Sequence, residues 1–277
     1  MSAPELGAAW QATARACDRA EVEVRILHEI EEIEGIFQLF VEIWHPSPAT
    51  PPITVDLMRA MSHAGNYVSG AFQGGKVVGG SVAFLATPPG ITLHSHITGA
   101  SVGRGIGFAL KVHQRAWAME RGLERISWTY DPLVRRNAYF NLVKLGARPA
   151  EYLPRFYGAM DDAINAGDES DRILAEWQLN APHVAAAAAG AASVPRVPGD
   201  AVVGLANKEG RPVIGDADGP TVLVAVPEDI ESLRRTDPVA AGMWRGAVRE
   251  VLGELMAGGA AVVGFTREAG YVVDRNG

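Results

Sequence analysis

The sequence predicts an α/β protein with a larger first part and a small C-terminal α/β domain. Short runs in which polar and apolar residues alternate, as at 22–27, are interspersed with longer segments whose apolar residues recur every three or four positions. An Ala-rich, Pro-interrupted stretch over 181–200 then breaks this pattern and predicts a linker. We therefore expect a first domain over 1–180 and a second domain over 201–277.

The composition and charge of the chain argue against nucleic-acid-binding, membrane-spanning and disulfide-bonded proteins. The chain has 277 residues, a net charge of −7 and no basic run, so we expect no nucleic-acid partner. No apolar stretch reaches the roughly 18–20 residues that a membrane span requires, and the N-terminus does not read as a signal peptide. Cys17 is the single cysteine, which leaves no intrachain disulfide and fits a reducing compartment. These features predict a cytoplasmic protein with no membrane partner.

The first part begins with a strand and two helices that precede a group of strands. Thr54 is placed to cap the second helix, because its hydroxyl can accept hydrogen bonds from free backbone amides. Gly74-Gly75 separates two strand-like runs and predicts a hairpin. The expected elements are a strand at 22–27, helices at 28–44 and 55–65, and strands at 66–73, 76–86 and 91–99.

The second half of the chain alternates helices and strands. Gly122 is placed to end a long helix, and Pro132 stops the strand that follows it. The expected elements are helices at 105–121, 134–146, 228–235 and 238–259, paired strands at 147–158 and 172–179, and strands at 123–132, 221–227, 260–266 and 270–275. The acidic segment between the paired strands is expected to form a long hairpin loop that rims a binding site.

The turn after the strand at 91–99 contains a G-x-S-x-G pattern centred on Ser101. This pattern can expose a nucleophilic serine between a strand and a helix, and it makes a serine hydrolase one alternative function. Such an enzyme needs a general base later in the chain. The available histidines are His113, on the helix that the turn begins, and His183, in the Ala-rich stretch. Neither position favours the hydrolase.

An overlapping glycine pattern in the same turn predicts an anion site. Gly103, Gly105 and Gly107 surround the start of a helix, where backbone amides have no internal partner and the helix dipole is positive. Glycines let those amides approach a phosphate without a Cβ in the way. The dinucleotide version of such a turn does not match, because Phe108 stands where its third glycine would fall. The P-loop version does not match either, because no Gly-Lys-Ser/Thr sequence follows.

The segment "ITGASVGRGIGFALKVHQRAWAMERGLERISW" over 97–128 resembles the acyl-CoA-binding motif of the GNAT superfamily of N-acetyltransferases. The resemblance implies a mixed, mostly antiparallel central sheet flanked by helices, with acetyl-CoA as co-substrate. Gly105 and Gly107 match the two motif glycines, whereas Val102 stands where the family usually has Gln or Arg. The residues expected to hold CoA are Ile97, Thr98, Val102, Gly103, Arg104, Gly105, Gly107 and Asn137.

The resemblance also suggests where the catalytic groups lie. His94 and His96 lie two apart on a strand that borders the acceptor cleft in this family, so both are expected on one face. The usual acid is a tyrosine, but Leu142 occupies its position; Tyr139 is a possible substitute. Asp131 is a candidate to orient the amine, or simply ends its strand. The missing tyrosine keeps open a non-catalytic CoA-binding module as a further alternative.

The expected acceptor is the amine of a small molecule or a peptide. The two histidines lack a third ligand, so no metal is expected. A homodimer is possible for a chain of this kind, and the C-terminal domain is a candidate to cover the acceptor cleft or form the dimer contact.

Overall fold

A computed structural model describes residues 2–46, 51–101, 103–158 and 168–276. The chain divides into two compact units. The first contains Met1–Trp128 and Trp177–Ala191, and the second contains Thr129–Glu176 and Ala192–Gly277. The division falls inside two strands, so the sequence-based boundary at residue 180 and the observed units differ. Among the described residues, no helix is long and apolar enough to cross a membrane.

The first unit contains a sheet with helices on its two faces. Its helices are α1 (Ala3–Ala20), α2 (Ile30–Trp44), α3 (Val55–His63), α4 (Ile106–Glu120) and α6 (Pro182–Ala188), and its strands are β1 (Glu23–Ile26), β2 (Tyr67–Gln73), β3 (Lys76–Ala86), β4 (Thr92–Ala100) and the start of β5 (Arg125–Tyr130). The strand order is β1-β2-β3-β4-β5, antiparallel except for the parallel β4–β5 pair. The predicted strands, hairpin and helices of this region are therefore confirmed.

Two apolar clusters hold the first unit together. One joins buried residues of α1, α4 and β2, including Ala16, Ala109 and Leu110. The other packs residues of α2, such as Ile36 and Phe40, with α3 and neighbouring strands. Thr54 caps α3 as predicted, because its hydroxyl accepts from the N–H of Leu57.

The second unit contains β6 (Arg148–Leu153) and most of β7 (Arg172–Gln178), which pair antiparallel as predicted. It also holds α5 (Arg135–Tyr139), which continues as a π-helical turn through Lys144. A five-stranded sheet follows in the order β11-β12-β10-β8-β9, formed by β8 (Val202–Lys208), β9 (Arg211–Ile214), β10 (Thr221–Val224), β11 (Ala261–Thr266) and β12 (Gly270–Asp274). The helices of this region are α7 (Ile230–Thr236), α8 (Pro238–Val248) and α9 (Glu254–Ala257).

Helix α1 precedes the first strand and covers α4, where the Thr13 hydroxyl donates to the carbonyl of Val112. Two features differ from the sequence-based expectation. The stretch expected as a linker holds α6, whose Val184, Ala187 and Ala188 are buried; small residues pack closely without producing a strong apolar pattern, which explains this difference. The β8–β9 hairpin is the second difference, because β9 has four residues and β8 mixes apolar residues with glycine, asparagine and lysine.

Candidate functional site

The parallel ladder between β4 and β5 is short. Among the described residues it runs from Thr92–Arg125 to His94–Ser127 and ends there, although β4 continues to Ala100. We call this end point the strand fork; Ser95 and Trp128 are the next residues along its two strands. Beyond the strand fork, one edge of β4 forms no ladder with β5. Its backbone groups can therefore pair with an extended ligand.

A bulge in β4 accompanies the strand fork. The register against β3 shifts between Val82–Ile97 and Ala83–Ser95, which leaves His96 as the extra residue. A bulge redirects the side chains that follow it, and such irregularities are frequent beside active sites. Ser95 and Thr98 consequently face α4, whereas Ile97 packs with the apolar cluster of α2.

The glycine turn between β4 and α4 contains backbone amides that have no partner among the described residues. Gly103 and Gly105 have φ values of 101° and 80°, which only glycine adopts readily. Ser101 donates its N–H to the carbonyl of Val78, but no described backbone oxygen accepts from the N–H groups of Gly103 to Phe108. A Cβ added at Gly107 would meet no atom within 4 Å. The turn therefore combines open space at its glycines with N–H groups that no described backbone oxygen occupies, and this combination fits a diphosphate.

The other residues of this unit that are predicted to hold CoA lie on β4 or in the turn itself. Ile97 and Thr98 are on β4 beyond the strand fork, and the Thr98 hydroxyl bonds that of Ser81 at 2.7 Å. Arg104 is exposed and donates to Oε1 of Gln73 at 3.0 Å. Val102 lies outside the described residues. The assignment of these residues to CoA remains a prediction.

His94 and His96 both contact the ring of Phe84, which lies on the neighbouring strand β3. The ring centroids are 5.2 Å and 6.0 Å apart, respectively, so the two histidines share one face of the sheet. His94 is half-buried and shares a hydrogen bond with the hydroxyl of Ser127. Burial, together with repulsion from His96 and Lys111, lowers the pKa of His94 to about 4. His94 is therefore neutral at physiological pH, whereas His96 is exposed to solvent.

A buried lysine on the opposite face was missed by the sequence analysis. Lys111, in the second turn of α4, is 4% exposed and donates to Oε1 of Gln114 at 2.8 Å and to the hydroxyl of Ser95 at 3.1 Å. Its Nζ lies 3.9 Å from the centroid of the Trp128 ring. Gln114 in turn donates to the hydroxyl of Ser81. Burial lowers the pKa of the Lys111 ammonium to about 7.

The arrangement around Ser101 does not support a hydrolase. Ser101 is exposed at the end of β4, but His113 is buried and shares a 2.8 Å hydrogen bond between its Nδ1 and the hydroxyl of Tyr67. Burial also lowers the pKa of His113 to about 4. His183 lies in α6. His113 is therefore engaged with Tyr67 and is not placed to act as the general base that an acyl-enzyme mechanism at Ser101 needs.

Asp131 lies in the second unit and belongs to a buried ionic cluster. Arg245 donates to its two oxygens at 2.9 Å and 3.0 Å, and Arg234 donates at 2.6 Å. Asp168 accepts from the same two arginines. Burial alone would raise the pKa of Asp131, but the charges and hydrogen bonds of Arg245 and Arg234 hold it well below its ordinary value. These contacts favour the alternative that Asp131 is a structural residue.

Further carboxylates next to β7 also form ion pairs and hydrogen bonds within the second unit. Asp171 accepts from Arg249 at 2.6 Å and from the hydroxyl of Tyr152 at 2.8 Å, and Glu169 pairs with Arg249. The acidic segment was expected to form a loop at an acceptor site. Residues 159–167 of that segment lie outside the described residues, and its last residues form ion pairs with arginines of the C-terminal helices.

Tyr139 and Asn137 also belong to the second unit. Asn137 is exposed on α5, and the guanidinium of Arg267 lies 4.7 Å from the centroid of the Tyr139 ring. Leu142, at the position where the family has a tyrosine, is buried. The roles of Tyr139 as an acid and of Asn137 as a CoA contact remain predictions.

Solved structures similar in fold to this chain include N-acetyltransferases of the GNAT family, the family that the 97–128 motif resembles. An N-acetyltransferase from Staphylococcus aureus shares 16% identity at a TM-score of 0.46, over 57% of this chain and 99% of its own. RimJ of Mycobacterium smegmatis, in complex with CoA-disulfide, shares 19% sequence identity at a TM-score of 0.48, over 63% of this chain and 92% of its own. The aminoglycoside 6'-N-acetyltransferase of Enterococcus faecium shares 13% sequence identity at a TM-score of 0.45, over 58% of this chain and 97% of its own. At these identities the similarity concerns the fold.

No protein-family model matches the chain, and no curated protein matches it.

Proposed function

We propose that this protein transfers an acyl group from acyl-CoA to the amine of an acceptor molecule. The observation that carries the proposal is the combination of the strand fork with the glycine turn at the other end of β4. A strand whose backbone edge is free leads directly into six consecutive N–H groups, Gly103 to Phe108, without a described backbone acceptor. An extended molecule with a diphosphate at one end matches both features.

In this proposal, residues of the first unit hold the acyl donor. The N–H groups from Gly103 to Phe108 bind the diphosphate, and Arg104 adds a positive charge beside it. The free backbone edge of β4, from the strand fork to Ala100, pairs with the pantetheine arm. A backbone N–H at the bulge is suited to stabilise the negative charge that develops on the thioester oxygen.

The reaction forms one amide bond and breaks one thioester bond. The amine nitrogen attacks the thioester carbonyl carbon, the C–S bond breaks, and CoA leaves as the thiol after taking up a proton. The amine must lose a proton, and in this proposal His96 accepts it, since the pKa of His94 is lowered to about 4 and makes that side chain a weak base. Holding both substrates in the correct orientation at the bulge contributes further to the rate enhancement.

Replacing Gly107 tests the diphosphate site. A Cβ at this position in the first turn of α4 meets no atom within 4 Å, and a Glu there suits the helix dipole, so the fold is expected to remain intact. Its negative charge is expected to weaken CoA binding by about tenfold or more relative to the isosteric Gly107→Gln variant. Calorimetric titration of both variants with CoA measures the difference. Equal affinities for the two variants would place the diphosphate elsewhere.

Replacing His96 tests the proposed proton acceptor. His96→Gln is expected to lower kcat by about 10²-fold or more while the affinity for CoA stays unchanged. His63→Gln, which changes an exposed histidine of α3, is the matched control and is expected to retain full activity. Release of the CoA thiol is followed with acetyl-CoA and a panel of primary amines that includes amino acids, polyamines and peptides. CoA binding without turnover of any amine would instead support a non-catalytic CoA-binding module.

A further inference from the structure

Lys111 lies at the strand fork and contacts both strands there. Ser95, which accepts from its Nζ, and Trp128, whose ring lies 3.9 Å away, are the first residues beyond the last β4–β5 pair. The amine thus lies beside the point where β4 and β5 stop pairing, on the α4 face of the sheet. His94 and His96 lie on the other face. The strand fork therefore has histidines on one side and a single buried amine on the other.

This amine has polar neighbours but no anion among the described residues. In the part of the chain that the structure describes, no carboxylate forms an ion pair with Lys111; its hydrogen-bond acceptors are the neutral Ser95 and Gln114. By contrast, the buried Arg234 and Arg245 of the second unit each bond two carboxylates. Burying a cation without a counter-charge is unfavourable, and an apolar side chain would fill the same space at a lower cost in folding free energy. The position is complementary to an anion supplied by a ligand.

We propose that Lys111 binds a carboxylate at the far end of the acyl group, so that the donor is a dicarboxylic acyl-CoA such as succinyl-CoA. The inference rests on the proposed function, which places the diphosphate at the glycine turn. Ser95 and Ala100 are five residues apart on β4, or roughly 17 Å in an extended strand. An arm that follows β4 from the turn brings the thioester to the bulge. A short acyl chain then extends towards Lys111.

The charge and hydrogen-bonding groups at this point suit a carboxylate. The Lys111 ammonium supplies the positive charge, and the Ser95 hydroxyl can rotate to donate to the second carboxylate oxygen. The reaction then joins the amine to the thioester carbonyl carbon and releases CoA as the thiol. The distal carboxylate and Lys111 are unchanged. Lys111 is thus a specificity residue for the acyl donor.

Calorimetric titration with CoA, acetyl-CoA and succinyl-CoA tests this assignment. The unmodified protein is expected to bind succinyl-CoA at least about tenfold more tightly than acetyl-CoA, since a charge-assisted hydrogen bond forms with succinyl-CoA alone. Lys111→Met is expected to remove this preference while its affinity for CoA stays unchanged. Lys76→Met, which replaces an exposed lysine at the start of β3, is the matched control and is expected to keep the preference.

The outcomes separate the two proposals. Failure of CoA and both thioesters to bind would overturn the proposed function. Tight binding of CoA with equal affinities for acetyl-CoA and succinyl-CoA would overturn the role of Lys111 alone. A succinyl group found on Lys111 by mass spectrometry after incubation would also overturn it, because the amine would then act as a nucleophile. Unchanged CoA affinity in Lys111→Met verifies that the variant is folded.

Discussion

Replacing Asp131 by Asn is expected to lower the free energy of unfolding of the second unit by about 3–5 kcal/mol. The carboxylate accepts three hydrogen bonds from Arg245 and Arg234, and the side chains of both arginines are 2% exposed. The amide cannot neutralise them and presents a donor where an acceptor is required. Among the described residues, Asp168 would then be the carboxylate left to pair with both buried guanidinium groups, so the negative charge beside them would be reduced.

Asp218→Asn provides the matched control for this prediction. Asp218 has a 91% exposed side chain and forms one ion pair with Arg275 at 3.4 Å. Its replacement is expected to change stability by less than about 1 kcal/mol. Urea denaturation followed by circular dichroism compares the two variants with the unmodified protein. If Asp131→Asn were no less stable than Asp218→Asn, the buried ionic cluster would not hold this unit together.

The pH dependence of the same interaction has a defined direction. Asp131 has a pKa below its ordinary value in the folded protein, so the folded state binds its proton less readily than the unfolded state. The stabilisation is therefore fully present above the ordinary pKa of an aspartate and declines as the pH falls through the folded value. Asp131→Asn should show the same loss of stability at every pH above about 5.

Local signals explain why much of the fold was predictable from the sequence. The Gly74-Gly75 hairpin, the cap at Thr54 and the end of α4 near Gly122 each depend on a few adjacent residues. The glycine turn is of the same kind, because its positive φ values require glycine at particular positions. The bulge at His96 has no comparable signal. It arises from the register against β3, which the sequence of β4 alone does not fix.

The role of Asp131 could not be predicted, because its partners are distant in sequence. Arg234 and Arg245 are 103 and 114 residues away, and no local pattern links an acid at the end of β5 to arginines of α7 and α8. Lys111 did have a signal. Helix α4 carries apolar residues on all its faces, so polar residues in its middle are expected to be buried. Lys111 shares this signal with His113, Gln114 and Arg115, so the pattern indicates that Lys111 is buried but does not distinguish it from these three neighbours.

Lys111→Met is expected to make the protein more stable near neutral pH. The pKa of Lys111 falls from 10.5 to about 7 on folding, and this difference corresponds to about 5 kcal/mol of destabilisation when the amine is fully protonated. Methionine avoids this cost but leaves Gln114 and Ser95 without their donor, a loss of about 1–3 kcal/mol. The net expectation at about pH 6 is a gain of roughly 2–4 kcal/mol.

The gain in stability of Lys111→Met should disappear as the pH rises. This pH dependence distinguishes an effect of the Lys111 charge from an effect of better packing by methionine. Between about pH 7 and pH 10 the unfolded chain holds a proton on Lys111 that the folded protein has released, so the stability of the unmodified protein increases with pH through this window. Urea denaturation of the unmodified protein, Lys111→Met and the exposed control Lys76→Met at several pH values measures the difference. A gain that stayed constant from about pH 6 to pH 10 would show that methionine merely packs better. A gain confined to the lower pH range means that the chain tolerates a destabilising amine at the strand fork, as expected for a residue retained for binding.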